Sequence, residues 1–237
     1  MEKNYFKKMN FGKHNLLFLI IFSIAIILLS STYKNISFNF FADEGLYLKY
    51  STEVGKNGIS AFNEMFKDYL SNPQNRITQN PLRVGYIILS SLWLRFFGYS
   101  ISNLAYLSLF SYCIFLLLGF CFAKKYLQPE LAVMFVLLLA FSPINMAMAR
   151  RALVDSTFNL FVFSSIWLFF ENIKKKNTLM TFAFLALYSF TILIKESAAI
   201  LSVFFVLYIF IRKLTTKADI RLTDILSVTI VPFMIAG

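Results

Sequence analysis

Charge, thiols and imidazoles are scarce in this chain, and each scarcity excludes something. Only 15% of the 237 residues are charged, where a soluble domain carries about a quarter. With 58% of residues hydrophobic, that deficit excludes a disordered chain and argues against an ordinary soluble enzyme. Two Cys cannot form a disulfide framework. Cys113 and Cys121 share one apolar run and, as helix, stand about 12 Å apart along its axis, too far to bond. The single His, His14, sits at the start of the first apolar run as an interface residue, so no His/Cys cluster has metal-binding spacing. No glycine-rich loop follows a strand pattern, and nucleotide binding has no support. Acidic residues number 12 against 23 Lys and Arg, a formal charge of +11. In a soluble protein that excess would suggest nucleic acid. In an apolar chain it reads as basic residues biased toward cytoplasmic loops, with no nucleic-acid partner.

What is abundant is uninterrupted apolar sequence. A bilayer core of about 30 Å needs roughly 20 apolar residues as helix. Uncharged runs of that order occupy residues 15–33, 101–123 and 131–149. Three more lie near 154–170, 178–194 and 197–211, and a last one begins near 225. The first follows Lys3, Lys7, Lys8 and Lys13 but is too long for a signal-peptide core and lacks a small-x-small cleavage site, so it reads as an uncleaved anchor. Residues 84–98 are apolar too, but as helix they reach only about 22 Å, and they contain Arg95.

Charge parity decides what that short segment does. If it does not cross, the basic clusters at the N-terminus, Lys124/Lys125, Lys174/Lys175/Lys176 and Arg212/Lys213/Lys217/Arg221 share one side of the membrane. They hold 13 of the 23 basic residues. If it crosses, the last three clusters move opposite the N-terminus, against the positive-inside rule. The expectation is therefore an all-α polytopic membrane protein of about seven crossings, a single integral-membrane domain over 1–237. Its N-terminus is cytoplasmic, and 84–98 forms a juxtamembrane or re-entrant helix on the outer face. The first outer loop, 34–100, is long. Its residues 44–70 predict one or two surface helices anchored by Leu46, Tyr47, Phe62, Met65 and Phe66, with turns at Asn72-Pro73 and Asn80-Pro81. Asn35-Ile-Ser matches a glycosylation sequon, a pattern common by chance.

Three polar groups stand out on that outer face. Asp43 and Glu44 lie in FNFFADEGLY, about ten residues past the first run. Adjacent carboxylates in an aromatic setting are costly unless solvated, paired or used, and a general base is one use. The alternative is an Asp43 that caps the helix beginning EGLYLKY. Asp155 lies in MARRALVDSTFNLF, close to Arg150 and Arg151. It is either the cap of a membrane helix with snorkelling arginines or part of a site. The arginines sit where basic residues are disfavoured, and a phosphate is the simplest reason for them. Lys195 and Glu196 form the short link TILIKESAAIL. They are either a salt-bridged pair at a tight hairpin or, for Lys195, a second phosphate contact. Pro143 would kink the third run.

The order of these pieces resembles the GT-C superfamily of membrane glycosyltransferases, in particular the branch with protein O-mannosyltransferases and aminoarabinose transferases. FADEGLY matches the acidic pair after the first span, and NPLRVGYIILSSLWLRFFGYS the Pro-Leu segment leading a juxtamembrane helix. SPINMAMARRALVDSTFNLF matches the Pro–Arg–Asp segment of the second outer loop, and TILIKESA a later Lys. The family usually shows Pro-Pro-Leu where this chain has Asn80-Pro81-Leu82. The resemblance covers roughly 15–210 and implies a GT-C-like N-terminal part, with the family's C-terminal part expected to be missing. It implies transfer of a sugar from a polyprenyl-phosphate donor to an acceptor hydroxyl on a lipid, glycan or protein, at the extracytoplasmic face of the cell (plasma) membrane. Asp43 is then the base, Glu44 orients the acceptor or Asp43, and Asp155 holds the acceptor or an outer-loop cation. Arg150, Arg151 and Lys195 become phosphate contacts, with Arg83 and Glu196 in the same substrate-binding set. Residues 84–98 would line the lipid groove, with membrane lipids as partners. No metal ligands are assigned and no cofactor is certain, a divalent cation being compatible with the site. Two other readings compete: a transporter or flippase-like protein, against which the near charge-free midplane argues, and an inactive truncated remnant of the transferase.

Overall fold

The computed structural model describes residues 11–33, 43–71, 73, 81–175, 177–216, 228–230 and 232–234. Among these residues the chain is helical between turns and contains no strand. Ten α-helices follow in order: α1 (Phe11–Tyr33), α2 (Asp43–Asn57), α3 (Ala61–Ser71), α4 (Val84–Phe97), α5 (Ile101–Tyr126), α6 (Pro129–Ala140), α7 (Pro143–Ala149), α8 (Asp155–Lys175), α9 (Thr178–Ile194) and α10 (Leu201–Thr216). A short 3-10 helix, Glu196–Ile200, joins α9 to α10. The chain is an all-α membrane protein. The sequon at Asn35, Lys3, Lys7 and Lys8, and most of the run from 225 fall outside the described residues. Val228–Ile230 and Pro232–Met234 within that run are helical.

By length and apolarity α5, with 26 residues, and the 20-residue stretch Glu196–Thr215 can each cross a membrane. Helices α6 and α7 together make a third, bent by 52° at their junction. Asn15–Ser31, Val84–Phe97 and Thr178–Ile194 are shorter apolar helices. The bend has a local cause. Pro143 supplies no N–H to the preceding turn, so α6 stops at Ala140 and α7 restarts at Pro143. Side chains take up the carbonyls at the break: Tyr112 donates its hydroxyl to Ala140 O at 2.5 Å, and Asn145 donates Nδ2 to Leu139 O at 3.3 Å. Lipid could not satisfy those groups.

Helix α5 is the central post. Ser100 accepts from Asn103 N at 3.1 Å to start it, and Lys124 and Lys125 sit at its negative end. Small hydroxyl residues bring α8 close to it. Ser108 donates to Leu153 O at 3.0 Å, Ser156 donates to Ser108 O at 2.8 Å, and Ser111 pairs with Thr157 at 3.0 Å. Across the other side of α8, Ser165 pairs with Thr191 of α9 at 2.9 Å. Small and hydroxyl-bearing residues pack helices together where lipid tails give apolar side chains no preference for one another. Aromatic stacking does the rest: Phe18 of α1 lies 4.1 Å from Phe120, and Phe169 of α8 lies 4.2 Å from Phe205 of α10. Outward faces keep Ile27, Leu138, Leu207 and Phe210 exposed, as suits a lipid surround.

A second layer, α2 to α4, covers one end of this bundle. Gly58, with φ 73, turns α2 into α3. Tyr50, Val54, Ala61, Phe62, Met65 and Ile87 bury one another there. Helix α4 packs on α2, α5 and α9. It meets α9 at Gly85, where an added Cβ would lie 2.9 Å from both Ile194 N and the Leu193 carbonyl carbon. Only glycine permits that approach. At its far end α4 closes on Gly98, whose φ of 95 excludes most side chains. Asn103 ties this end to α5 by donating to Phe97 O at 2.6 Å and Gly98 O at 3.0 Å.

Candidate active site

Four chain segments meet at the end of the bundle that α2 and α4 cover. They are the first turn of α2, the start of α4, the bend between α7 and α8, and the link between α9 and the 3-10 helix. Each brings charge. The best-defined contact joins the first and third: Arg151 donates Nε to Glu44 Oε1 and an Nη to Oε2, both at 2.8 Å, across 107 residues of sequence. Ala152 N donates to the same Oε1 at 3.1 Å. Both oxygens of Glu44 are thus engaged, and its side chain is 1% exposed while that of Arg151 is 38% exposed. This fork-to-fork geometry fixes orientation as well as charge. It clamps the start of α2 to the bend before α8.

The second contact joins α8 to the α9 link. Lys195 donates Nζ to Asp155 Oδ1 at 2.8 Å, with both side chains partly exposed. Lys195 also lies over the Phe158 ring, 5.4 Å from its centre. Lys195 and Glu196 do not pair with each other. The backbone at Lys195 is extended, with φ −156 and ψ 124, so neighbouring side chains leave on opposite sides. Glu196 instead faces Arg83, Oε2 lying 3.6 Å from Nε. Arg83 in turn donates to the Tyr47 hydroxyl.

Tyr47 is where the pieces meet. It sits one turn after Asp43 on α2, is almost wholly buried, and packs edge-on to Tyr86 of α4 at 5.0 Å. Burial pushes the Tyr47 phenol up to about 12; the Arg83 charge and hydrogen bond oppose that rise, and the Asp43 and Asp155 carboxylates add to it. Two carboxylates from distant parts of the sequence therefore act on one buried group. Tyr47 stays a neutral phenol at any working pH. Asp43 is half-buried at the first position of α2. Arg150 is half-buried at the C-terminus of α7, its N–H directed to Ala147 O at 3.3 Å.

Asp43, Glu44, Arg83, Arg150, Arg151, Asp155, Lys195 and Glu196, the residues singled out in the sequence, all lie on these four segments. Among the described residues no group of three or more His, Cys, Asp or Glu is placed to hold a metal ion. The sequence presents Tyr47 as an apolar anchor and gives Tyr86 no role. Spacing carried the missing signal: Tyr47 follows Asp43 by four residues and Glu44 by three, and Tyr86 follows Arg83 by three, the offsets that share a helix face.

The arrangement can hold a proton acceptor at the head of α2 and cations beside it for an anion. A family model described as dolichyl-phosphate-mannose-protein mannosyltransferase matches residues 79–236, a segment that contains Arg83, Arg150, Arg151, Asp155, Lys195 and Glu196 and follows Asp43 and Glu44. No curated protein and no solved structure matches the chain.

Proposed function

The chain belongs to the dolichyl-phosphate-mannose-protein mannosyltransferase family, a GT-C type of glycosyltransferase, and from that premise we propose that it moves a sugar from a polyprenyl-phosphate donor to an acceptor hydroxyl at the extracytoplasmic boundary of the cell membrane. The family description names a mannosyl donor, and a polyprenyl-phosphate sugar of that class is the donor proposed here. Nucleotide sugars are not normally available outside the cytoplasm, which makes a lipid-borne donor the chemically sensible one. The observation that carries the reading is the convergence of four segments on one end of the bundle, held by the Glu44–Arg151 fork and the Asp155–Lys195 pair.

In the proposed reaction Asp43 accepts the proton of the acceptor hydroxyl. The acceptor oxygen forms its bond to the anomeric carbon as the bond from that carbon to the phosphate oxygen breaks. The electron pair leaves with the polyprenyl phosphate, and Lys195 and Arg150 stabilise the charge that develops there. Burial and full engagement by Arg151 and Ala152 make Glu44 the residue that fixes α2 and thereby aims Asp43. Arg151 then serves the site through Glu44.

The test is Asp43→Asn in membranes supplied with polyprenyl-phosphate mannose and an acceptor. The base contributes about 10²–10⁴-fold, so transfer should fall by that factor while insertion and folding persist. Transfer at the wild-type rate would remove Asp43 from the chemistry.

A further inference from the structure

One polar atom near this site has no work to do in the contacts described so far. Tyr86 is completely buried, and its hydroxyl has no hydrogen-bond partner among the described residues. Buried hydroxyls are nearly always satisfied, so an orphan of this kind asks for an explanation. The ring is held firmly. Tyr47 packs on it edge-on at 5.0 Å, it belongs to the buried cluster with Leu104, Val154 and Ile194, and the Gly85 approach pins its helix to α9. The hydroxyl is placed rather than loose.

Tyr47 packs on the Tyr86 ring, Glu44 lies one turn before Tyr47 on α2, and Asp155 directly follows Val154 of the cluster that buries Tyr86; all three act on it electrostatically. Tyr47 already accepts from Arg83, and both Glu44 oxygens are engaged by Arg151 and Ala152. Asp155 holds Lys195 through Oδ1. A ligand group here must accept from a phenol while lying near a carboxylate. Phosphate oxygens only accept, and they would face the charges of Asp155 and Glu44. An alcohol both accepts and donates, so it can take the Tyr86 proton and give its own to Asp155.

We infer that Tyr86 and Asp155 together form a subsite for a neutral hydroxyl of the transferred sugar, with the Tyr86 hydroxyl donating to it and the Asp155 carboxylate accepting from it. The inference rests on the glycosyltransferase reading and adds a specificity-determining residue to it. It separates the sugar, held between Tyr86 and Asp155, from the lipid phosphate, held by Lys195 and Arg150.

The experiment uses the full chain in lipid vesicles with polyprenyl-phosphate mannose and its mono-deoxy analogues as donors. Wild-type protein should use one deoxy analogue about tenfold less well than the parent, the effect of one neutral hydrogen bond. Tyr86→Phe should lose about the same factor with the parent donor and show no further loss with that analogue. Equal deoxy penalties in wild type and variant would overturn the subsite. A binding readout keeps this outcome apart from failure of the transferase reading. Polyprenyl-phosphate mannose should raise the wild-type Tm more than bare polyprenyl phosphate does. Tyr86→Phe should abolish the difference and keep the shift from the bare lipid. That result without any transfer would refute the enzyme and leave the sugar subsite standing. An equal difference in variant and wild type, or no difference in wild type, would refute the subsite. The unliganded variant should melt at or above the wild-type temperature, because the lost hydroxyl had no partner; a drop of several degrees would show that it had one.

Discussion

Breaking the clamp between Glu44 and Arg151 should cost different amounts from its two sides. An exposed ion pair contributes about 0–1 kcal/mol, whereas removing one partner of a buried pair costs about 3–5 kcal/mol. This pair is mixed. The Glu44 side chain is 1% exposed, and that of Arg151 is 38% exposed. In Glu44→Gln the guanidinium can turn to water, and the glutamine oxygen can still accept from Ala152 N, so the loss should be about 2 kcal/mol. Arg151→Met strands a buried carboxylate with the single Ala152 N–H for company, and the loss should be about 3 kcal/mol or more. The double variant should lose about 3 kcal/mol rather than the sum of about 5 kcal/mol, a coupling energy of about 2 kcal/mol. In a domain of this size about 1 kcal/mol moves Tm by roughly 2–4 °C, so Arg151→Met should melt about 6–12 °C below wild type. Denaturation of the four proteins in mixed micelles measures all three quantities. Equal single losses that add within about 0.5 kcal/mol would refute the clamp. So would a milder loss for Arg151→Met than for Glu44→Gln.

Two further outcomes follow from the packing and the charge pattern. Gly85→Ala puts a Cβ 2.9 Å from the backbone of α9, so α4 must shift and take Arg83 and Tyr86 with it. Overpacking of this kind costs about 1–3 kcal/mol, and transfer should fall with stability; a variant with wild-type Tm and activity would show that the two helices stand further apart. Reporter fusions after residues 60, 125, 152, 175 and 215 should read outside, inside, outside, inside and inside. A cytoplasmic reporter at 152 would put Arg151 and Asp155 on the wrong face for a lipid-borne donor.

Local features were the legible part of this chain. Helices α2 and α3 match the expectation for 44–70, because Gly58 and the spacing of Tyr47, Tyr50, Val54, Phe62 and Met65 are properties of neighbouring residues. Pro143 announced a kink, though its size is not written in the proline: the 52° bend depends on Tyr112 and Asn145 being there to cap the open carbonyls. Partner choice was illegible. Lys195 and Glu196 are adjacent, so sequence favours pairing them, yet one extended residue sends them to Asp155 and Arg83. Arg151 reads as an anion-binding cation until Glu44, distant in sequence, is found against it. Tyr47 and Tyr86 escaped because a tyrosine in an apolar run looks like packing until its hydroxyl can be placed.

The pairing bears on how the proposed reaction would begin. The four acids Asp43, Glu44, Asp155 and Glu196 stand against the four cations Arg83, Arg150, Arg151 and Lys195, so the site is formally neutral before a donor arrives. A phosphate brings negative charge into a balanced set and must compete for a cation. The Glu44–Arg151 fork is the poorest target, since Glu44 is buried and uses both oxygens. Asp155 and Lys195 are partly exposed and share one bond through Oδ1. Exchange at Lys195 is therefore less costly than at Arg151, and it has a second effect. As the ammonium turns to the phosphate, Asp155 gains accepting capacity beside Tyr86, where the sugar hydroxyl is inferred to lie. One ion-pair exchange would then couple capture of the lipid phosphate to capture of the sugar it carries.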